Sequence, residues 1–219
     1  MKKVVILGCG GHCRVLLDSI RRMGDENLKI ECFLDANKDI WGEKVEDAEV
    51  KGGDELLPEI KKSGIDYFIV GLGGIGNCYP RANLFNIGLS FGLKPLTIVD
   101  PTAIISKNVQ ICQGAQILAG AIVNTGAIIG ENSIVNSGAI VEHDCKVGNN
   151  VHIAPGVSLS GNVEIGDLSH IGTGATIIQG IKIGKNSIVG AGSTVIKNVL
   201  DNTIVAGVPA KVIKRGKNL

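Results

Sequence analysis

The chain has 219 residues, 44% of them hydrophobic and only 3% aromatic, and its 22 basic and 21 acidic side chains leave a net charge of +1. That balance, with no basic run, argues against a nucleic-acid surface. No apolar stretch approaches the length of a membrane span, and the run after Lys2-Lys3 is too short for an export signal, so a cytoplasmic protein is expected.

In chain order, residues 3–7 form a short apolar run that ends in Gly8-Cys9-Gly10-Gly11, and a helical pattern follows from His12 to Met23. Strand, glycine loop and helix in that order let backbone amides and the positive helix end meet a phosphate. A second strand, 29–34, ends in Asp35, placed to accept a hydrogen bond from a ribose hydroxyl or a base. Cys13 stands where the dinucleotide fingerprint has its third glycine or alanine. A third strand, 66–70, runs into a glycine-rich segment from Gly71 to Gly76, and Arg81 opens the next helix, to about Ser90. Two glycine loops at strand ends predict one crevice in a small Rossmann-like βαβ sheet. A domain this short suits a mononucleotide or nucleotide sugar better than a whole NAD.

Cys9, Cys13, Cys32, Cys78, Cys112 and Cys145 form no framework and are expected to be reduced thiols. Cys9, His12 and Cys13 are neighbours, but a structural zinc site needs four ligands, so no metal is expected. Residues 94–101 join a domain at 1–94 to a second at 95–219, without a long spacer.

From Val99 to Val195 an aliphatic residue returns every sixth position, seventeen times without a miss. Two residues before each lies a register of mostly small side chains, Cys145 among them, read as core. A period of six fits neither a helix nor a meander. It fits a solenoid in which three short strands make an 18-residue coil, each coil about 4.8 Å above the last.

The hexapeptide period resembles the left-handed parallel β-helix of the hexapeptide-repeat acyltransferases. With the GxGGH loop, Asp35 and Arg81, the whole chain resembles bacterial sugar acetyltransferases, which include UDP-4-amino-4,6-dideoxysugar N-acetyltransferases and sialic-acid O-acetyltransferases. The resemblance implies a homotrimer with acetyl-CoA as co-substrate, bound in grooves between subunits. It also implies a nucleotide sugar held by the N-terminal domain through Gly8, Gly10, Gly11, His12, Asp35, Gly71 and Arg81.

Three of the four histidines fall in the repeats. His143 lies two places after the inward Val141 and should project outward, where a solenoid wall has no need of an imidazole. Acetyl transfer to an amine or hydroxyl requires a base, and an imidazole with a pKa near 6.5 suits it. A carboxylate on its other nitrogen would fix the tautomer. The resemblance implies Asp144, with Glu142 as the local rival. His152 and His170, one coil apart, should stack on one face; the resemblance implies that His152 meets the thioester carbonyl and leaves His170 on the surface. It further implies that Thr173 and Ala191 offer backbone groups to the pantetheine arm. Lys211, in the basic end from Ala206 to Arg215, is set against the CoA phosphates, with a merely solvated tail as the alternative. His143 and His152 are half a coil apart and would share a site most easily across a subunit interface. N-acetylation of a nucleotide-linked amino sugar is the expected reaction; O-acetylation and a non-catalytic nucleotide-binding scaffold are the alternatives.

Overall fold

The structure, a computed structural model, describes residues 1–216. The first unit is a six-stranded sheet of β1 (Lys2–Leu7), β2 (Leu28–Leu34), β3 (Lys44–Val45), β4 (Ala48–Gly52), β5 (Tyr67–Val70) and β6 (Lys94–Pro95), in the order β3-β4-β2-β1-β5-β6. All neighbours are parallel except β3 and β4. Alternation along the central strand fills both faces. Val4 and Ile6 pack under α1 (Gly11–Met23), while Val5 and Leu7 join Leu57, Ile60 and Phe85 from α2 (Leu57–Lys62) and α3 (Tyr79–Ser90). Helix α1 starts one residue before the sequence pattern predicts and α3 two before. It stops at Gly24, whose left-handed φ of 60° lets its N–H reach the Arg21 carbonyl.

From Ile98 onward, two-residue strands recur every six residues and stack into three parallel faces of a prism. Partners lie 18 residues apart, as in Gln116 with Ile134 and His152 with His170. Each aliphatic position of the six-residue register from Ile117 to Val195 is buried, making one continuous core with the small register beside it. The first face continues into a hairpin of Thr203–Gly207 and Ala210–Arg215, whose second strand is antiparallel and ends the ladder.

The two units share a core as well as a seam. Ile98, Leu118 and Ile134 of the prism pack with Leu16, Cys13 and Ile69 of the first unit. Arg22 of α1 donates through Nε and Nη2 to Asp100 Oδ2 at 2.9 and 2.7 Å, and Thr102 donates to Oδ1. Burial alone would raise the Asp100 pKa, but these bonds outweigh it and hold the carboxyl well below the usual range.

Candidate active site

Strand β1 delivers the chain to Gly8 at φ +95°, and Gly10 and Gly11 are exposed at the head of α1. No side chain caps that helix, so its first amides are free for an anion. Asp35 sits against the loop: Oδ2 accepts from Cys9 N at 2.7 Å and Oδ1 from Asn37 N at 2.8 Å. The carboxylate is thus fixed and half-buried, with lone pairs left over for a ligand.

Two expected ligand contacts have other work. Gly71 is buried, and a Cβ there would stand 2.2 Å from the Gly8 carbonyl, so its glycine permits loop-on-loop packing. Arg81 is fully buried. Its guanidinium donates to the carbonyls of Asn132 (2.9 Å), Val70 (3.1 Å) and Leu72 (2.6 Å). Burial lowers its pKa to about 9, still charged at neutral pH. It ties the second glycine segment to the prism and reaches no open surface, which corrects the expected nucleotide contact.

His12 turns from the loop to the prism, its Nε2 2.8 Å from Gln116 Oε1, while Gln116 Nε2 donates to the Val70 carbonyl at 2.8 Å. Burial pulls the His12 pKa to about 4, so the ring is neutral and its Nε2 is the donor. Two coils above Gln116 lies His152, only 4% exposed. Ser137 N donates to Asn136 Oδ1 at 2.8 Å, which points the Asn136 amide nitrogen at His152 Nε2, 3.0 Å away. Nε2 is therefore the acceptor and the proton sits on Nδ1, a buried atom beside the Gly74 backbone with no partner within hydrogen-bond distance among the described residues. Burial, then the His170 ring, pushes its pKa to about 3.

His170 departs from its expected surface place. It is 8% exposed, its ring stacks on His152 with centroids 5.1 Å apart, and its Nδ1 accepts from Gly76 N at 2.9 Å. Burial lowers its pKa as well.

These residues meet in one cavity of about 620 Å³ between the units. Gly11 and His12 line one side, His152 and His170 the floor, and Thr173 and Ala191 the upper coils. Of the remaining expected residues, Lys211 is exposed on the terminal hairpin, outside this lining. A wider groove of about 780 Å³ on the third face holds no histidine, and its Lys182 pairs with Glu164 at 3.0 Å. The smaller cavity is the one that gathers expected residues from both units. Among the described residues no group of three His, Cys, Asp or Glu is placed to hold a metal ion.

His143 lies outside that cavity, at a corner after the second face. Its Nδ1 is 2.9 Å from Asp144 Oδ2, with both side chains about half exposed. Asp144, at φ +59°, occupies the left-handed corner position, which swings its carboxylate back to the ring. Asp144, rather than Glu142, makes the hydrogen bond. Nε2, the other ring nitrogen, lies against Gly161 one coil above.

The PglD N-terminal domain family matches residues 3–87, and the bacterial transferase hexapeptide family matches 126–161, 144–179 and 162–197. Perosamine N-acetyltransferase from Caulobacter crescentus, solved with CoA and GDP-perosamine, is 33% identical, with 97% of each chain covered and a TM-score of 0.88. The acetyltransferase domain of PglB from Neisseria gonorrhoeae is 31% identical over 97% of this chain and 100% of that one, at a TM-score of 0.87. WeeI from Acinetobacter baumannii is 25% identical over 96% and 99%, at 0.83. None of the curated proteins matches the chain.

The chain belongs to the hexapeptide-repeat sugar acetyltransferases with a PglD-type N-terminal domain. It is an acyltransferase, with the left-handed β-helix and Rossmann-like domain of that family. In this acetyltransferase the sequence reading overlooked Gln116, Asn132 and Asn136, and misplaced His170. A signal existed for two of them. Gln116 and His170 each directly precede an inward aliphatic residue on the first face, the same register as His152. Polar side chains repeating there mark the face that another unit covers.

Proposed function

We propose that the protein transfers the acetyl group of acetyl-CoA to the 4-amino group of a nucleotide-linked 4-amino-4,6-dideoxy sugar, in the cytoplasm, as a homotrimer. Residues 1–94 hold the nucleotide, with the diphosphate at Gly8, Gly10, Gly11 and the free amides of α1, and Asp35 on the ribose or base. Residues 95–219 hold the donor, its acyl-pantetheine arm along His152, Thr173 and Ala191 and its phosphates toward Lys211. One observation carries the reading. The cavity joins the glycine-loop end of one unit to the upper coils of the other, while the one histidine–carboxylate dyad among the described residues is exposed elsewhere. A dyad on a neighbouring subunit completes such a site.

In the reaction the neutral sugar amine attacks the thioester carbon. The new N–C bond forms, the C–S bond breaks, and the ammonium proton passes to His143 Nε2 and then to the departing CoA thiolate. Asp144 holds the imidazole in the tautomer that leaves Nε2 free and stabilises the imidazolium that forms. His152, pinned neutral, adds no charge beside the thioester. Support also comes from relatives: perosamine N-acetyltransferase was solved with CoA and GDP-perosamine, and two of its structures carry a substitution of one histidine.

The decisive assay pairs acetyl-CoA with GDP- and UDP-linked 4-amino-4,6-dideoxy sugars and follows free CoA thiol. Turnover of one nucleotide series, absent with sialic acid, is expected. Turnover of sialic acid alone would replace this reading with O-acetylation.

A further inference from the structure

The segment Gly71–Asn77 reads in sequence as a second phosphate loop, yet its backbone is stitched along the prism. Just before it Val70 O is held by Gln116, Leu72 O is held by Arg81, which also binds the Asn132 carbonyl of the prism, and Gly76 N is held by His170. Gln116 and His170 stand on the same ladder three coils apart, about 14 Å by strand stacking. The segment thus climbs from the level of His12 to that of Thr173 and Ala191. At its upper end Ile75 is 86% exposed, the most exposed of the large apolar side chains among the described residues, and it lines the cavity with Ile188, Val189 and Pro155. An isoleucine left in water beside an apolar trough is placed to be covered by an apolar ligand.

We propose that Ile75 is a further donor-binding residue, closing over the acyl-pantetheine arm, and that His170 is the positioning residue that holds it there through the Gly76 amide. The N-terminal domain then serves both substrates: its first loop takes the nucleotide sugar and its second takes the donor. Gly76, at φ +69° with open space where a Cβ would be, lets the chain turn so that its N–H faces the ring while Ile75 faces the cavity. The inference rests on the donor reading of Thr173 and Ala191.

Steady-state kinetics on the full-length protein test it. Ile75→Ser, on an exposed side chain that no fold contact requires, is expected to raise the KM for acetyl-CoA roughly three- to tenfold, from lost apolar burial. The kcat and the KM for the nucleotide sugar stay within about twofold. His170→Phe keeps the ring stack but cannot accept from Gly76, and should give the same split. His170→Asn, whose Oδ1 stands near the lost Nδ1, should restore acetyl-CoA affinity. Ala191→Trp serves as the control, because it blocks the upper coils directly. If Ala191→Trp raises the KM for acetyl-CoA and Ile75→Ser does not, the inference is overturned and the donor site stands. Should Ala191→Trp also leave that KM unchanged, the donor reading and this inference fall together. A rise in the KM for the nucleotide sugar with Ile75→Ser would overturn it too, by placing the segment against the acceptor.

Discussion

Gly161 lies directly against the His143 ring one coil above, so that a Cβ on Gly161 would stand 2.4 Å from His143 Nε2. The glycine leaves the imidazole room for the pose in which its Nδ1 meets Asp144 Oδ2. Its φ is not in the left-handed region, so alanine fits the backbone and only the ring must move. Gly161→Ala is expected to lower kcat by roughly ten- to a hundredfold, a part of the usual worth of a positioned base. Thermal stability should hold within a few degrees. Wild-type kcat with a displaced ring would remove His143 from the mechanism.

Loss of the base itself should be larger and should depend on pH in a particular way. His143→Ala is expected to lower kcat by about 10²–10⁴-fold, with little change in the KM for acetyl-CoA. A sugar amine has more of its free base at higher pH, so the variant's rate should climb as pH rises. A hydroxyl acceptor would show no comparable recovery. The pH profile of kcat for the variant checks both statements.

The placement of His143 outside the cavity predicts complementation. His143→Ala and His152→Ala chains, each nearly inactive alone, are denatured and refolded together at equal ratio. If each site takes His143 from one subunit and His152 from the next, random pairing leaves about a quarter of the sites intact. Activity near a quarter of wild type is expected. No recovery, with mixed oligomers demonstrated by mass, would mean that both histidines serve a site within one chain.

The buried imidazoles predict acid lability. His12 and His152 have folded pKa values of about 4 and about 3, below the unfolded value near 6.5. The unfolded chain therefore binds more protons as pH falls through 6.5, and stability drops with it until the folded values are reached. Above pH 7 these groups contribute no slope. Between pH 7 and pH 5 a loss on the order of 2–4 kcal/mol is expected, read by urea unfolding at the two values. Replacing His12 by Gln and His152 by Phe together should flatten that dependence.

The repeats were legible because their determinant is local. One inward side chain every six residues fixes strand, corner and stacking distance, and nothing remote can alter it. The glycine loop was legible for the same reason, and so was the outward place of His143, whereas which of Asp144 and Glu142 reaches its ring was not. Arg81 and His170 were not, since what each does is set by a partner 51 or 94 residues away. In sequence, an arginine after a glycine segment looks the same whether it faces a phosphate or three carbonyls. The turn of His12 toward Gln116, 104 residues on, was equally hidden.

The terminal hairpin has a consequence beyond its place in the ladder. A stack of parallel coils has no inherent length, since its last coil offers the same row of unpaired amides and carbonyls as every coil below. Left bare, the row at Ile188 and Val189 would be a template on which another molecule could grow, and prisms would join end to end as a fibre. The strand Thr203–Gly207 takes that row, and the chain then reverses into Ala210–Arg215, whose lysines and arginine cover the new rim with charge. A chain cut after residue 202 would keep its prism and leave that first-face row bare.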